Sequence, residues 1–379
     1  MILTSNGTSA CTGFTTTRGG VTLVGNNNDW RDPDVHIKFS PRDNEKYGTV
    51  IIESKYVLPY DPDNINKCGG MNDQGLIYNK FDHPWKLPIK SFYKRFFRPI
   101  SELEKYCLEH CSTVDDVVKE FKKYNLLFMF PYQSFFVDKN GNSVIIEGDN
   151  IIYKEDDYQV VTNFLQSQTK PNEINCWRYK TAVNMLENMS DLTIEYFTSI
   201  CNATHQEAVG CSTQDSEVYN LNTCEIYLYF SHKFDRYIKI NLSDELKLGE
   251  HEYNIPSLLE PENNSPPARP EIHVNRKNRF KYEIITISSD VDSDKLYYKF
   301  DFVDRITSEW IGPYCSGKNV TINHIYIFPG IYQIKVKARD IYGAESDWTT
   351  FEISVPRTKA LLRFFDMFPI TEQILNYII

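Results

Sequence analysis

The sequence has no long apolar run and no block of basic residues. No apolar segment reaches the roughly 18 residues that a membrane-spanning helix needs. Acidic residues outnumber basic ones by 51 to 41, which gives a formal net charge of −10 and a pI of about 5.4. Because nucleic-acid phosphates are bound by basic surfaces, this charge argues against a nucleic-acid partner. The first ten residues lack the regions of a signal peptide, so we expect a cytoplasmic protein unless an export signal lies outside this sequence.

The nine cysteines include no CxxC pair, which argues against a zinc ribbon. Their odd number also fits no complete set of disulfides. Cys107 and Cys111 stand four apart in a predicted helix, and we interpret them as buried apolar residues rather than as metal ligands. The glycine-rich turn of nucleotide-binding folds is absent as well. The sequence therefore predicts neither a metal site nor an organic cofactor.

Strands and helices alternate from residue 11 to about residue 259. GVTLVGN and GTVIIES are typical of strands, and SFFVDKNGNSVIIEGDNIIY predicts a hairpin that turns at Asn140-Gly141. STVDDVVKEFKKY predicts a helix capped by Ser112 or Thr113. These patterns predict a mixed α and β domain over residues 11–259.

The composition changes after this domain. The proline-rich residues 260–267 predict a linker, and only β-patterned segments follow in residues 268–356, which predicts a small β-sandwich. Residues 357–379 are apolar and interrupted by Pro369, so they predict two short helices. We expect these helices to dock on the protein itself or on another subunit. A membrane-surface helix is the alternative.

Cys11 follows two small residues and precedes a β-rich run, in the stretch SACTGFTTTRGGVTLVGNNNDW. A thiol is nucleophilic only as the thiolate, so it needs a base nearby. If the chain is cut before Cys11, the new α-amine, with a reference pKa of about 7.7–8.0, supplies that base. Residues 1–10 are accordingly interpreted as a propeptide that the thiol removes through an N-to-S acyl shift. The alternative is a buried structural cysteine on a first strand.

The same stretch resembles the start of N-terminal-nucleophile hydrolases of the choloylglycine hydrolase and penicillin V acylase family. The resemblance rests on CTGF, which begins at Cys11, and on GNNND, which ends at Asp29. It implies an α+β fold of four layers, αββα, for residues 11–259. It also implies that Cys11 is the nucleophile and that Asp29 contacts its α-amine. Asn26 occupies a substrate-pocket position where bile-salt hydrolases commonly carry arginine.

Three further segments follow the same family in order. CGGMNDQGLIYN resembles the segment that lines the pocket, which implies pocket roles for Met71 and Asn72, and the second oxyanion donor falls near Asp82. VVTNF resembles a Thr-Asn motif, which implies that the side-chain amide of Asn163 donates to the oxyanion. CWRYK resembles an Arg-Phe/Tyr pair, which implies that Arg178 supports the cysteine–aspartate network as a fixed charge.

Residues 268–356 resemble a PKD-type immunoglobulin-like domain. The resemblance rests on DVDSDKLYYKFDF, WIGPYCSG and GIYQIKVKARDIYGAESDW. The Trp-Gly-Asp-Gly turn of that family is replaced here by residues 302–305, Phe-Val-Asp-Arg, which puts the geometry of this turn in question. Such modules bind or space rather than catalyse, which implies a contact with a surface, a carbohydrate or a protein. They occur mostly on exported proteins, so the localisation stays open.

Together these features predict an amidohydrolase that attacks a linear C–N amide bond with Cys11 and needs no cofactor or metal. The partner is a small amide substrate, and self-association into a homo-oligomer stays open. His83 and His205 have no part in this mechanism and are interpreted as structural. Two other functions remain: an acyltransferase of the isopenicillin-N acyltransferase type, and an inactive hydrolase fold that serves as a surface-binding protein.

Overall fold

The structure is a computed structural model of the full chain, and it describes residues 11–54, 66–82, 102–126 and 132–356. Within these ranges no helix is long and apolar enough to cross a membrane. The predicted propeptide and the predicted C-terminal helices lie outside the described residues, as does His83.

The described residues divide into two compact units. The first comprises residues 11–262 and the second residues 263–356, so the division lies inside the predicted linker.

In chain order, the strands of the first unit are β1 (Thr12–Arg18), β2 (Val21–Trp30), β3 (Val35–Ser40), β4 (Thr49–Ser54), β5 (Asn66–Asn72), β6 (Leu76–Asp82), β7 (Tyr132–Asp138), β8 (Ser143–Glu147), β9 (Asn150–Tyr153), β10 (Tyr158–Val161), β11 (Glu207–Ala208), β12 (Cys211–Asn220), β13 (Glu225–Phe230), β14 (Ile238–Asn241) and β15 (His251–Asn254). Its α-helices are α1 (Leu103–His110), α2 (Val114–Phe121), α3 (Trp177–Glu187), α4 (Ile194–Thr204), α5 (Leu242–Glu245) and α6 (Ile255–Leu259).

These strands form two antiparallel sheets. A seven-stranded sheet has the order β10-β1-β2-β12-β13-β14, with β11 paired to β12. An eight-stranded sheet has the order β15-β3-β4-β5-β6-β7-β8-β9. The predicted hairpin is confirmed: β7 and β8 pair with Val137 opposite Ser143, and Gly141 has the positive φ that the turn requires.

A helix pair covers one face of each sheet. Helices α1 and α2 pack on the eight-stranded sheet through a cluster that includes Tyr78, Phe121 and Phe136. Helices α3 and α4 pack on the seven-stranded sheet through a cluster that includes Phe14 and Phe197. Because side chains alternate between the faces of a strand, the remaining positions of each sheet are left for a second layer of contacts.

The uncovered faces of the two sheets meet each other. A methyl group placed on Gly13 of β1 would lie 2.6 Å from the ring of Phe81 on β6, so only glycine permits this close approach. Gln133 on β7 donates to the carbonyl of Thr162 after β10 at 2.6 Å. The contacts therefore run in the order helix pair, sheet, sheet, helix pair, and the predicted mixture of helices and strands is confirmed.

The start of α2 and the end of α1 test two local predictions. Thr113 caps α2, since its side chain accepts a hydrogen bond from the backbone N–H of Asp116. The prediction that Cys107 and Cys111 share a helix is wrong in part, because α1 ends at His110 and Cys111 is extended. Both cysteines are nevertheless buried in the cluster beneath α1 and α2. All nine cysteines lie within the described residues, and none forms a disulfide.

The second unit is a β-sandwich, as predicted. Its strands are β16 (Glu271–Arg276), β17 (Lys281–Ile287), β18 (Leu296–Asp301), β19 (Ile311–Tyr314), β20 (Val320–Ile325), β21 (Gly330–Arg339) and β22 (Thr349–Val355). One sheet has the order β16-β17-β20 and the other β19-β18-β21-β22. The core between them includes Ile284, Tyr298, Phe300 and Val336. The short strands β16 and β19 were not predicted, because both are rich in charged, polar or turn-forming residues.

The turn after β18 holds two non-glycine residues in the left-handed region. Val303 has φ +58° and Arg305 has φ +72°. For a β-branched residue such as valine this conformation is strained, because Cβ approaches the backbone closely. Asp301 and Asp304 stabilise the turn by accepting hydrogen bonds from the backbone N–H groups of Val303 and Ile306, at 2.9 and 3.2 Å.

We predict that Val303→Gly stabilises the β-sandwich. Removing Cβ relieves a strain of about 1–2 kcal/mol, against a cost of about 0.5–1 kcal/mol for the greater freedom of glycine in the unfolded chain. Val303 is 46% exposed, so little buried surface is lost. Calorimetry of the full chain should show the melting temperature of the sandwich rise.

Val291→Gly is the matched control, since Val291 is 80% exposed but has no positive φ. This change should lower the same melting temperature. Equal losses in the two variants would contradict a strained turn.

Candidate active site

The β1–β2 hairpin brings Cys11 to Asp29. Gly19 and Gly20 have φ of +57° and +78°, which permits the two-residue turn that joins the strands. The strands pair with Thr12 opposite Asn27, so the residue before β1 lies beside the end of β2. Cys11 is buried, and the backbone N–H of Asp29 donates to its Sγ at 3.5 Å. The hairpin alone therefore places the predicted nucleophile next to the predicted carboxylate.

Arg178 joins this hairpin to a second segment. It lies in the first turn of α3, and its side chain is buried. Nη1 donates to the carbonyl oxygen of Cys11 at 2.6 Å and to Oγ1 of Thr12 at 2.8 Å. Nη2 donates to Oδ1 of Asn163 at 3.2 Å. One guanidinium thus holds the backbone of Cys11 and the amide of Asn163 in fixed positions.

The amide of Asn163 connects the network to the end of β6. Its Nδ2 donates to the backbone carbonyl of Asp82 at 2.9 Å. Asp29, Cys11, Arg178, Asn163 and Asp82 are therefore linked by successive hydrogen bonds, although the first and the last of them in sequence, Cys11 and Arg178, are 167 positions apart. The structure brings all five of these sequence-predicted residues together.

Asp29 is buried, and its carboxylate is held by two polar side chains. Thr213 Oγ1 donates to Oδ1, and the side chain of Gln206 makes a second hydrogen bond. Burial raises the pKa of Asp29 to about 7, an effect that the Thr213 hydrogen bond and the positive charge of Arg178 oppose. The negative charge of Asp215 raises the pKa further. A carboxyl group with this pKa changes its charge near neutral pH.

The predicted pocket residues Met71 and Asn72 have different surroundings. Met71 is fully buried and lies opposite Ile77, on the face of the sheet directed away from α1 and α2. The amide of Asn72 instead donates to the carbonyls of Leu108 and Cys111, both at 2.8 Å. Asn72 therefore holds the end of α1 to the β5–β6 turn, and the structure does not bring it to Cys11.

Asn26 belongs to a buried polar cluster, which we define as Asn26, Asn28, Asp215 and Glu217. Nδ2 of Asn26 donates to Asn28 at 2.8 Å and to Glu217 at 3.0 Å, and Asn28 donates to Asp215 at 2.6 Å. Burial, together with the nearby negative charge of Asp215, raises the pKa of Glu217 well above its usual range. The amide of Asn26 is therefore used inside the protein. One of its hydrogen bonds goes to Glu217, which forms with Asp215 a pair of acids that shares a proton.

Sequence reasoning missed most of this environment, namely Thr12, Asn28, Gln206, Thr213, Asp215 and Glu217. Four of these lie on or beside β12, which reads CSTQDSEVYN and has nine of its ten residues buried. Burial of a strand is normally predicted from apolar residues, and β12 offers few. Its polar residues would have been found only by asking which strand neighbours the motif that ends at Asp29.

A family model for the PKD domain matches residues 266–353. Residues 266–353 are a PKD domain. The PKD domain is similar to that of an M14-like peptidase from Thermoplasmatales archaeon SCGC AB-540-F20, with 34% identity over 25% of this chain and 99% of that chain and a TM-score of 0.23. It is also similar to the PKD domain of the human VPS10 domain-containing receptor SorCS2, with 19% identity over 26% and 80% of the two chains and a TM-score of 0.19. No curated protein matches the chain.

The replaced turn of the PKD domain keeps an unusual backbone. Val303 and Arg305 stand where the Trp-Gly-Asp-Gly turn has its two glycines, and both adopt positive φ. The geometry of the turn thus tolerates the substitution, at the cost of the strain described above.

We predict that Asp29 makes the uncut chain less stable as pH rises. In the folded chain Asp29 keeps its proton up to about pH 7, whereas its ordinary pKa is 3.8. The folded state therefore binds an additional proton between these values, and stability falls as pH rises through this window. A difference of about three pH units corresponds to about 4 kcal/mol at most. Asp29→Asn cannot titrate and should remove this part of the decline.

Urea unfolding at pH 5 and pH 8 measures the effect, with Cys11→Ala in every chain to keep it uncut. Asp29→Asn should gain stability over its parent at pH 8 but not at pH 5. The exposed Asp191, changed to asparagine, is the control. A pH-independent effect of Asp29→Asn would contradict the raised pKa.

Proposed function

We propose that the N-terminal unit is a cysteine N-terminal-nucleophile hydrolase that cleaves linear amide bonds, of the choloylglycine hydrolase and penicillin V acylase type. The observation that carries the proposal is the hydrogen-bonded chain from Asp29 through Cys11 and Arg178 to Asn163. Two facing sheets, each covered by a helix pair, support the αββα fold that this class requires. A nucleophile directly before an interior strand, β1, fits the same class.

The proposed activation step is the removal of residues 1–10. The new α-amine then belongs to the same residue as Sγ, and Asp29 is close enough to fix it by charge and hydrogen bonding. The neutral amine accepts the thiol proton, and the thiolate attacks the substrate carbonyl. The amide C–N bond breaks as the leaving nitrogen takes the proton. Water then attacks the thioester, which releases the carboxylic acid and restores the thiol.

Asn163 is suited to stabilise the oxyanion because both ends of its amide are constrained. Oδ1 accepts a hydrogen bond from Arg178, so Nδ2 is directed away from the guanidinium. Nδ2 carries two N–H groups, and the carbonyl of Asp82 uses one of them. The other N–H is available to a substrate oxyanion. Such a donor typically contributes about 3–4 kcal/mol to transition-state stabilisation.

The substrate class is narrowed only by Asn26. In place of an arginine, the chain has an amide that is occupied by Asn28 and Glu217. No cation is supplied from this position to an acidic substrate group. This favours a substrate whose leaving amine is uncharged over a bile-salt conjugate, whose amine part carries an acidic group. We assign the PKD domain the separate task of contacting a surface, a carbohydrate or a protein.

We predict that the mature chain begins at Cys11. Intact-protein mass spectrometry should show the loss of residues 1–10 from the wild-type chain, because the mechanism needs a free amine. Cys11→Ala should keep these residues. Cys68→Ala, which removes another buried thiol of the same unit, should still be processed.

A wild-type chain that is uncut yet hydrolyses amides would contradict the mechanism. Hydrolysis should be screened on N-acyl amino acids, penicillin V and bile-salt conjugates, with and without an added amine. Acyl transfer to the amine in preference to water would identify an acyltransferase. A processed chain inactive on all three classes would favour the surface-binding alternative.

We predict that Asn163→Ala lowers kcat by about 10²–10³, the usual effect of losing one oxyanion donor. Asn163→Asp should be as slow, because it keeps an oxygen for Arg178 but loses the N–H groups. Asn172 is exposed and lies between Asn163 and Arg178 in the sequence, so Asn172→Ala is the matched control. A wild-type kcat for both Asn163 variants would show that this amide has no part in catalysis.

A further inference from the structure

Three side chains of the N-terminal unit converge at a place the proposed mechanism does not use. They are His205, Glu207 and His232, and their potential ligand atoms all lie within 4.8 Å of one another. The two imidazole rings lie 4.8 Å apart between centroids, and Nε2 of His205 is 3.1 Å from Oε1 of Glu207. Two histidines and one carboxylate form a ligand set that divalent transition metals, above all Zn²⁺, favour.

Three separate elements supply these residues. His205 directly follows α4, Glu207 lies on the short strand β11, and His232 lies in the turn after β13. His232 and its neighbour Ser231 have φ of +64° and +48°, a conformation that costs energy in a non-glycine residue. This turn directs His232 toward His205.

The hydrogen bonds fix the tautomer of His205. Its Nδ1 lies against the backbone carbonyl of Asn202, which can only accept, so Nδ1 carries the hydrogen. In the neutral ring Nε2 then presents a lone pair to the carboxylate of Glu207. Two acceptors at 3.1 Å repel each other unless a cation or a proton lies between them. A carbonyl on the far nitrogen is also the usual partner of a metal-bound histidine.

We propose that His205, Glu207 and His232 bind one divalent transition-metal ion of the Zn²⁺ class. In the tetrahedral geometry typical of Zn²⁺, ligands about 2.1 Å from one ion lie about 3.4 Å apart. The separation of up to 4.8 Å therefore needs to shrink by up to about 1.4 Å, which side-chain rotation can supply. Three protein ligands leave the remaining coordination to solvent. This proposal replaces the sequence-based interpretation of His205 as structural and of the chain as metal-free.

The site adjoins the partners of Asp29. Gln206, between two of the ligands, hydrogen-bonds Asp29 through its side chain, and its backbone N–H donates to Thr213 Oγ1 at 2.8 Å. Thr213 in turn donates to Asp29. An ion held by the residues on either side of Gln206 would fix the segment that carries the Gln206 side chain. Its role is therefore to position the carboxylate rather than to take part in the reaction.

Zinc binding to the full chain tests the proposal. The exposed Cys315 is changed to serine in every sample, and Zn²⁺ uptake is measured by equilibrium dialysis and elemental analysis. The parent should bind one Zn²⁺ that Mg²⁺ does not displace, and its melting temperature should rise with Zn²⁺. Glu207→Gln and His232→Asn should each weaken this binding by at least about 100-fold, more than the loss of an outer-shell contact.

His251→Asn is the matched control, because His251 also pairs with a carboxylate, Glu245, at 2.9 Å but belongs to no three-ligand cluster among the described residues. It should leave Zn²⁺ uptake unchanged. Glu207 is largely exposed, so Glu207→Gln tests binding without threatening the fold. Absence of Zn²⁺ uptake by the parent would mean that these three side chains form no metal site. Equal losses in the control would place the ion elsewhere, and either result overturns the proposal.

Discussion

The buried guanidinium of Arg178 joins three segments that lie apart in the sequence. It accepts no hydrogen bond, so each of its contacts requires an oxygen to be placed correctly: the carbonyl of Cys11, the hydroxyl of Thr12 and the amide oxygen of Asn163. A buried positive charge without such oxygens would cost several kcal/mol. The packing of α3 on β1 and β10 is therefore tied to the geometry at Cys11. A change that shifts α3 displaces the nucleophile and the amide together.

The same unit buries more acid than base. Asp29, Asp215 and Glu217 are all fully enclosed, and burial raises the pKa of each. Arg178 is the positive charge near Asp29, and it lowers the pKa of that carboxyl group. Protonation resolves the remaining imbalance, since a shared proton lets Asp215 and Glu217 lie side by side. The α-amine proposed at Cys11 would add a second positive charge beside Asp29, so cutting the chain would itself favour the ionised carboxylate.

Local signals predicted local structure well. The hairpin at Asn140-Gly141 and the cap at Thr113 follow from turn and capping chemistry that acts over a few residues. Cys11 and Asp29 were identified because both lie in one short stretch that resembles a known family, and one hairpin brings them together. The polar neighbours on β12 were not found, because β12 reaches the site by pairing with β2. Thr213 is 184 positions from Asp29, and local sequence periodicity gives no information about a pairing over that distance. Asn72 shows the reverse case: a motif match indicated the pocket, but its amide is fully used in holding α1.

Strand β12 connects the three polar environments of this unit. Ser212 contacts His232 at 3.1 Å, Thr213 contacts Asp29, and Asp215 and Glu217 form the buried acid pair. A shift in the β12–β2 register between Thr213 and Asp215 allows this arrangement, because it turns Thr213 toward Asp29 while the acids face the other sheet. A strand that must satisfy all three environments cannot be apolar. Its polar sequence is thus a consequence of what lies on either side of it, and a one-residue change in its register would disconnect Asp29 from Thr213 and separate Asn28 from its acids.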